Sequence, residues 1–363
     1  MCAALAAFLP FVTLKANRLL AGTALGWAEL PSVYWILVPM LLVVSPFVWA
    51  RHQARGLCLF VLGQALLIAL LALLSSTASL LGQDPISRVS PAAGFWLWLL
   101  GAGLIAYAGA LEMRRLWLAS SSALLLLGFL LFGAFGSLSV LREYAANQSE
   151  FWQESLTHIR LALAAWGFSS LIGGLLGVYA ATRPSIARWL LGIANALQTI
   201  PSIALFALLI PFYSALTRAV PFLETIGIRG IGAAPALSAL TLYGLLPVLR
   251  GVIVGLMGVP EAPLEAAKGL GLTPNQLFWQ VRLPLAMPLL LEGLRLAAVS
   301  LIGLTALSSL IGAGGLGGFI FTGLGSGAID RVLLGAIPTL GLALLVHFGL
   351  RGLEAGLTPR GLR

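Results

Sequence analysis

The sequence predicts an all-α membrane protein that crosses the bilayer about ten times, on three observations. Hydrophobic residues make up 60% of the 363 positions and charged residues only 9%. A soluble domain carries roughly a quarter charged residues, so these charges are too few to coat a soluble body of this length. The apolar residues fall in runs close to the ~20 positions that a spanning helix needs. Lys and Arg gather in the short links between runs, with a bias to one side. Each span is expected to be a helix, because lipid offers no partner for exposed backbone N–H and C=O groups.

In order, the runs are 1–14, 31–50, 56–81, 91–110 and 116–141, then 158–181, 186–211, 233–257, 283–311 and 332–350. The first lacks the Lys or Arg that opens a signal peptide. Its first charges, Lys15 and Arg18, follow the run, and it reads as a short first span. A charged island at 265–288 is placed in the cytoplasm, and alternation then sorts the other links. Arg51, Arg55, Arg114, Arg115, Arg183, Arg188, Arg250, Lys268, Arg282, Arg351, Arg360 and Arg363 fall inside. Lys15, Arg18, Arg88, Arg142, Arg160, Arg218, Arg229 and Arg331 fall outside. The inner excess follows the positive-inside rule, and both termini are expected in the cytoplasm. The formal net charge of +9 is thus a topology signal; membrane lipid is the expected surrounding and no nucleic-acid partner is implied.

The longest polar run, 141–154, divides an N-terminal accessory region of about five spans (1–150) from a C-terminal region (151–363) that carries every motif. Tyr144, Phe151 and Trp152 stand among its acids and amides, which fits a helix at the outer interface or a connecting loop.

The charged island reads EAAKGLGLTPNQLFWQVRLPLAMP. Pro260 and Pro263 end the preceding span and open a short helix, since proline suits a first helical turn. Glu265, Ala266, Ala267 and Lys268 favour that helix. Gly269 and Gly271 break it and permit a sharp turn. Thr273 is a cap with Pro274 at the first position of a second short helix, reaching Val281. Leu283-Pro284 then redirects the chain into the next span. The expected result is a helix–turn–helix on the membrane surface, with Ala266 and Ala267 small enough for a partner's groove to close on it.

The order Glu265, Ala266, Ala267, Gly269, Gly271 and then Val281, Leu283, Pro284 resembles the coupling loop of ABC-importer permeases, an EAA-x3-G-like signature followed by an apolar-x-Leu-Pro element. Further segments are LGIANALQTIPSIALFALLIP (191–211), YGLLPVLRGV (243–252), LPLAMPLLLEGLRLA (283–297) and LIGAGGLGGFIF (310–321). They are similar to permeases of osmoprotectant ABC importers, which carry glycine betaine, choline, carnitine and related quaternary ammonium compounds. The resemblance covers roughly 158–351 and is absent from 1–140, so the chain reads as a long form with extra N-terminal spans. It implies a type I ABC-importer permease core in a bacterial inner membrane. Alternating access would be driven by separate ABC ATPase subunits. A second permease subunit, the same chain or a shorter relative, and a separate extracytoplasmic substrate-binding protein would complete the system. The alternatives are a permease for another small solute such as an amino acid, or, in another class, a gradient-driven secondary transporter.

No enzyme chemistry is expected. A phosphate-binding loop needs Gly-x4-Gly-Lys-Ser/Thr, but the two lysines, Lys15 and Lys268, precede Ala16 and Gly269. His52, His158 and His347 do not pair with carboxylates at metal spacing, and Cys2 and Cys58 form no framework. Neither a metal nor another cofactor is implied, and no catalytic residue.

Four features remain as candidates. Gly312, Gly314 and Gly317 fit G-x-G-x-x-G, but a dinucleotide site needs a preceding strand, and here a membrane span precedes. Together with Gly315 they read as close helix packing by small residues or as an outer gate that bends. Glu292 and Arg295 lie three apart in a span, where charges are costly and usually paired. An intrahelical ion pair, a gating role and recognition of a cationic ligand all fit. Gln198, Thr199, Pro201 and Ser202 interrupt an apolar run. Pro201 is expected to kink the helix, either bordering the translocation path or as a plain kink. Trp49, Trp117, Trp152 and Trp189 stand at span edges, as interface belts do, which leaves an aromatic cage for quaternary ammonium to the binding protein.

Overall fold

A computed structural model of the chain describes residues 8–16, 22–30, 55–84, 86–115, 121–122 and 136–357. The expected span at 31–50 and most of that at 116–141 lie outside these residues. Among the described residues, seven helices are long and apolar enough to cross a membrane. The chain divides into two compact units, Met1–Asn147 with Gly323–Arg331, and Gln148–Thr322 with Val332–Arg363.

The first unit opens with a correction. The described part of the run at 1–14 is no span: Val12–Lys15 is a strand, β1, paired antiparallel with β2 (Thr23–Leu25) and β3 (Arg88–Pro91). The run is too short to cross ~30 Å of hydrocarbon, and β-branched Val12 and Thr13 suit a pleated surface. Two long helices follow in sequence around β3, α1 (Arg55–Leu81) and α2 (Ala93–Glu112). Leu66, Leu70 and Leu73 of α1 and Trp98 of α2 bury against Phe11 and Val12 of the first strand segment. The Phe11 ring lies 4.7 Å from Trp27 and 5.6 Å from Phe95. A short helix, α3 (Ser139–Ala146), ties to the sheet through Ser139, whose hydroxyl donates to the Val89 carbonyl at 3.0 Å.

The second unit begins with α4 (Gln148–Ala181), 34 residues long, so the polar run 141–154 is helical on both sides of Asn147. The run expected at 186–211 as one kinked span is two helices, α5 (Pro184–Thr199) and α6 (Ser202–Ala219). The reason is Pro201: it pushes the preceding residue out of the helical region, and Ile200 takes ψ of 124°. Next come α7 (Ala233–Met257), α8 (Glu261–Gly269) and α9 (Leu283–Thr305), then α10 (Gly317–Ser326) and α11 (Ile329–Leu357), of which residues 323–331 count with the first unit.

Helices α4, α7 and α9 form the heart of this unit. Lipid tails are as apolar as leucine, so helices in a bilayer associate through close packing and hydrogen bonds. Gly173 and Gly177 of α4 admit Val248 and Val252 of α7, and Gly251 of α7 faces Gly293 of α9 backbone to backbone. The Trp166 indole N–H of α4 donates to the Leu294 carbonyl of α9 at 2.9 Å.

Candidate functional site

The charged island folds as an amphipathic helix and a capped turn. In α8, Leu264 and Ala267 are buried while Glu265, Ala266, Lys268 and Gly269 are exposed. Leu264 packs with Val259 and Leu256 below it and with Leu277, Phe278 and Val281 beyond the turn. Gly269 is the last helical residue and does not break the helix. The reversal belongs to Gly271, whose φ of 82° suits a residue without a Cβ. Its N–H reaches the Lys268 carbonyl and the Leu272 N–H reaches that of Ala267, which satisfies the last free carbonyls of the helix. Thr273 and Gln276 then cap each other reciprocally: the Gln276 N–H donates to Thr273 Oγ1, and the Thr273 N–H donates to Gln276 Oε1 at 2.9 Å.

Leu283-Pro284 does not redirect the chain. Pro274–Gln276 is followed by a π-helical turn, Leu277–Arg282, that runs directly into α9 with Leu283 helical. The widened turn accommodates Pro284, which lies inside the continuous rod and lacks an N–H to give it. The island is therefore a short helix hinged by one turn onto the foot of a continuous rod. Leu270 (81% exposed) and Trp279 (61%) project from it as uncovered apolar side chains.

Pro201 stands at the break between α5 and α6. The freed backbone there is held by Tyr243 of α7, whose hydroxyl donates to the Ile200 carbonyl, while Gln198 donates to the Tyr243 carbonyl at 3.1 Å. Tyr243 had drawn attention only as part of a motif; its pairing needed the fold. Gln198 and Glu292 line one cavity of about 440 Å³ between α5, α7 and α9, together with Arg250.

Arg295 lies 3.9 Å from Glu292, but Glu354 of α11 is closer, at 3.4 Å, and the His347 ring is 3.5 Å away. The sequence placed 351–363 beyond the last span; α11 instead continues to Leu357 and brings Glu354 back to Arg295.

The glycine loop is tightly built. Gly312, Gly314 and Gly315 have φ of 78°, 78° and 98°, and a Cβ on Gly317 would fall 1.8 Å from the Ala306 carbonyl oxygen. The Gly315 N–H donates to the Glu154 carboxylate of α4, Ser308 Oγ donates to the Gly314 carbonyl at 3.0 Å, and His158 Nε2 lies 3.0 Å from the Ile302 carbonyl oxygen. Nothing in the sequence around Glu154 signals this contact. Glu154→Ala leaves the buried Gly315 N–H without this partner, a loss of about 1–3 kcal/mol. A lowered thermal midpoint of the solubilised protein is the expected outcome, and an unchanged midpoint contradicts it.

Residues 173–359 match the family of the binding-protein-dependent transport system inner membrane component, and residues 1–141 match the N-terminal domain of the ABC transporter permease YehY. The carnitine transport permease protein OpuCB of Listeria monocytogenes is 38% identical over 58% of this chain and 88% of its own. The choline transport system permease protein OpuBB of Bacillus subtilis is 36% identical over 60% and 93%. The osmoprotectant import permease protein OsmW of Salmonella typhimurium is 38% identical over 57% and 91%. Among solved structures, an inward-facing MetNI methionine ABC transporter chain aligns over 58% of this chain and 98% of its own, at 25% identity and a TM-score of 0.49.

Proposed function

The chain belongs to the family of binding-protein-dependent transport system inner membrane components, and on that premise we propose that it is the permease subunit of an ATP-driven importer of osmoprotectants such as glycine betaine, carnitine or choline. It is a multi-pass inner membrane protein. Its relatives named for carnitine, choline and osmoprotectant transport support the solute class.

One observation carries the coupling role. Helix α8 buries only Leu264 and Ala267 and leaves Glu265, Ala266, Lys268, Gly269 and Leu270 uncovered, and one tight turn at Gly271 joins it to the rod that runs from Pro274 through α9. An ATPase that grips this helix moves a rod and not a floppy loop, and Gly271, Leu283 and Pro284 shape the joint. Hydrolysis then belongs to separate ATPase subunits, and solute arrives from an extracytoplasmic binding protein. A second permease subunit completes the pathway. The C-terminus lies in the cytoplasm, and with Val12–Lys15 a strand paired to Arg88–Pro91 the N-terminal end falls on the outer side. Glu292 and Arg295 pair inside the membrane, and Gln198 and Pro201 border the path. The glycines at 312, 314, 315 and 317 form part of the outer gate, stapled by Glu154. The region 1–150 is accessory to a transport domain at 151–363.

The test is a pull-down of the tagged chain from its native membrane, followed by uptake in vesicles rebuilt from the recovered subunits. Co-purification of a P-loop ATPase and uptake that needs ATP are the expected results. Uptake that survives ATP depletion and collapses with an uncoupler would instead establish a gradient-driven carrier.

A further inference from the structure

Gln198, Arg250, Glu292 and Ser300 come from three helices, and all are exposed around the same cavity of about 440 Å³. Arg250 lies seven residues inside the Met257 end of α7, about 10 Å along the axis. Glu292 lies well within α9. Charged side chains at such depth do not face lipid, so this polar face looks onto water or onto another subunit. Another cavity of similar size offers a contrast: about 450 Å³, between α4, α9 and α11, it is walled almost wholly by apolar side chains such as Leu163, Leu342 and Leu345. That lining suits lipid tails and no charged solute.

The charges at the polar cavity are not spent on each other's neighbours. Among the described residues, no ion pair or hydrogen bond engages the Arg250 guanidinium. Glu292 has Arg295 at 3.9 Å, but Arg295 is held more closely by Glu354, at 3.4 Å. Gly251 and Gly293 line the cavity where α7 and α9 touch backbone to backbone. Val254, Leu289 and Leu296 add apolar wall. The volume falls in the range of small-molecule sites, roughly 300–1,000 Å³.

We propose that this cavity is a transit site for zwitterionic solutes that carry a carboxylate as well as a quaternary ammonium group. Arg250 takes the carboxylate, Glu292 faces the cation, and the leucine and valine walls meet the methyl groups. The inference rests on the osmoprotectant reading above and narrows it. Choline has a hydroxyl where glycine betaine has a carboxylate and gives Arg250 no charge to pair with. The guanidinium–carboxylate bond is charge-assisted and can be bidentate, so the site discriminates between two solutes with the same cationic end.

The experiment is equilibrium dialysis of radiolabelled glycine betaine and radiolabelled choline against the purified complex of this chain with its ATPase, without the binding protein. The expected result is saturable glycine betaine binding, with choline about tenfold weaker. Arg250→Gln is expected to erase that preference, Arg250→Lys to keep part of it, and Glu292→Gln to weaken both solutes. Choline bound as tightly as glycine betaine by the natural chain, absence of saturable binding, or a preference untouched by Arg250→Gln overturns the proposal. If Arg250→Gln fails to assemble, the natural chain's preference, Arg250→Lys and Glu292→Gln decide. ATP-driven uptake by the full system with its binding protein is measured in parallel. Uptake with no preference in dialysis removes this inference alone, and absence of uptake for every quaternary ammonium solute removes the reading beneath it.

Discussion

Gly269→Asp is expected to reduce ATP-driven uptake at least tenfold while the protein still inserts and folds. Within this chain nothing lies within 4 Å of a Cβ added at Gly269, and its φ is not in the left-handed region. A new side chain there meets only water until a partner closes over α8. Closing on it then means taking a carboxylate out of water without a counter-charge, which costs several kcal/mol. A loss of about 1.4 kcal/mol of docking free energy is already tenfold. Uptake and solute-stimulated ATP hydrolysis are the readouts, with membrane abundance as the control. Gly269→Ala should do far less. Full uptake by Gly269→Asp would remove α8 from the coupling path and leave the proposed ATPase contact without its main support.

Gly293→Val is expected to do the opposite: to damage the fold itself. A Cβ at Gly293 would lie 2.6 Å from the Pro247 carbonyl oxygen and 3.0 Å from the Gly251 Cα. Both are backbone atoms, which cannot swing aside as a side chain can, so α7 and α9 must separate. Overpacking of this kind costs about 1–3 kcal/mol and sometimes more. The contact is central to the bundle, and the same glycines line the proposed transit site, so transport should fail with it. Gly303→Val, on the same helix with nothing within 4 Å of its Cβ, is the matched control. Loss of a monodisperse, protease-resistant protein for Gly293→Val, with Gly303→Val close to the natural chain, is the expected pair of results. Equal stability of the two variants would show that the bundle yields at this crossing.

Much of the helical layout could be read from the chain. The run 233–257 and helix α7 coincide because a mostly apolar stretch of spanning length has one stable form in lipid, a helix that satisfies its own backbone. The capped turn of the charged island was legible for a different reason. Thr273 with Pro274 is a local capping signal, and local signals need no partner. Gly269 and Gly271 looked alike as helix breakers, yet only Gly271 adopts the left-handed conformation; which of two nearby glycines turns depends on where Leu264 and Ala267 find something to bury against. Pro201 was seen as a bend and is a break. The difference lies in Tyr243, 42 residues away, which holds the Ile200 carbonyl and lets the helix end there.

By itself, then, the sequence determined the solvent, the helical class and the position of the capped turn after α8, because composition, run length and capping are properties of neighbouring residues. The strand at Val12–Lys15, the Arg295–Glu354 pair, the Glu154 staple on Gly315 and the Arg250–Glu292 cavity were decided only by the tertiary structure. Each joins residues remote in sequence, and their pairing energy exists only after packing has brought the elements together. No periodicity along the chain records which carboxylate will meet which guanidinium or amide.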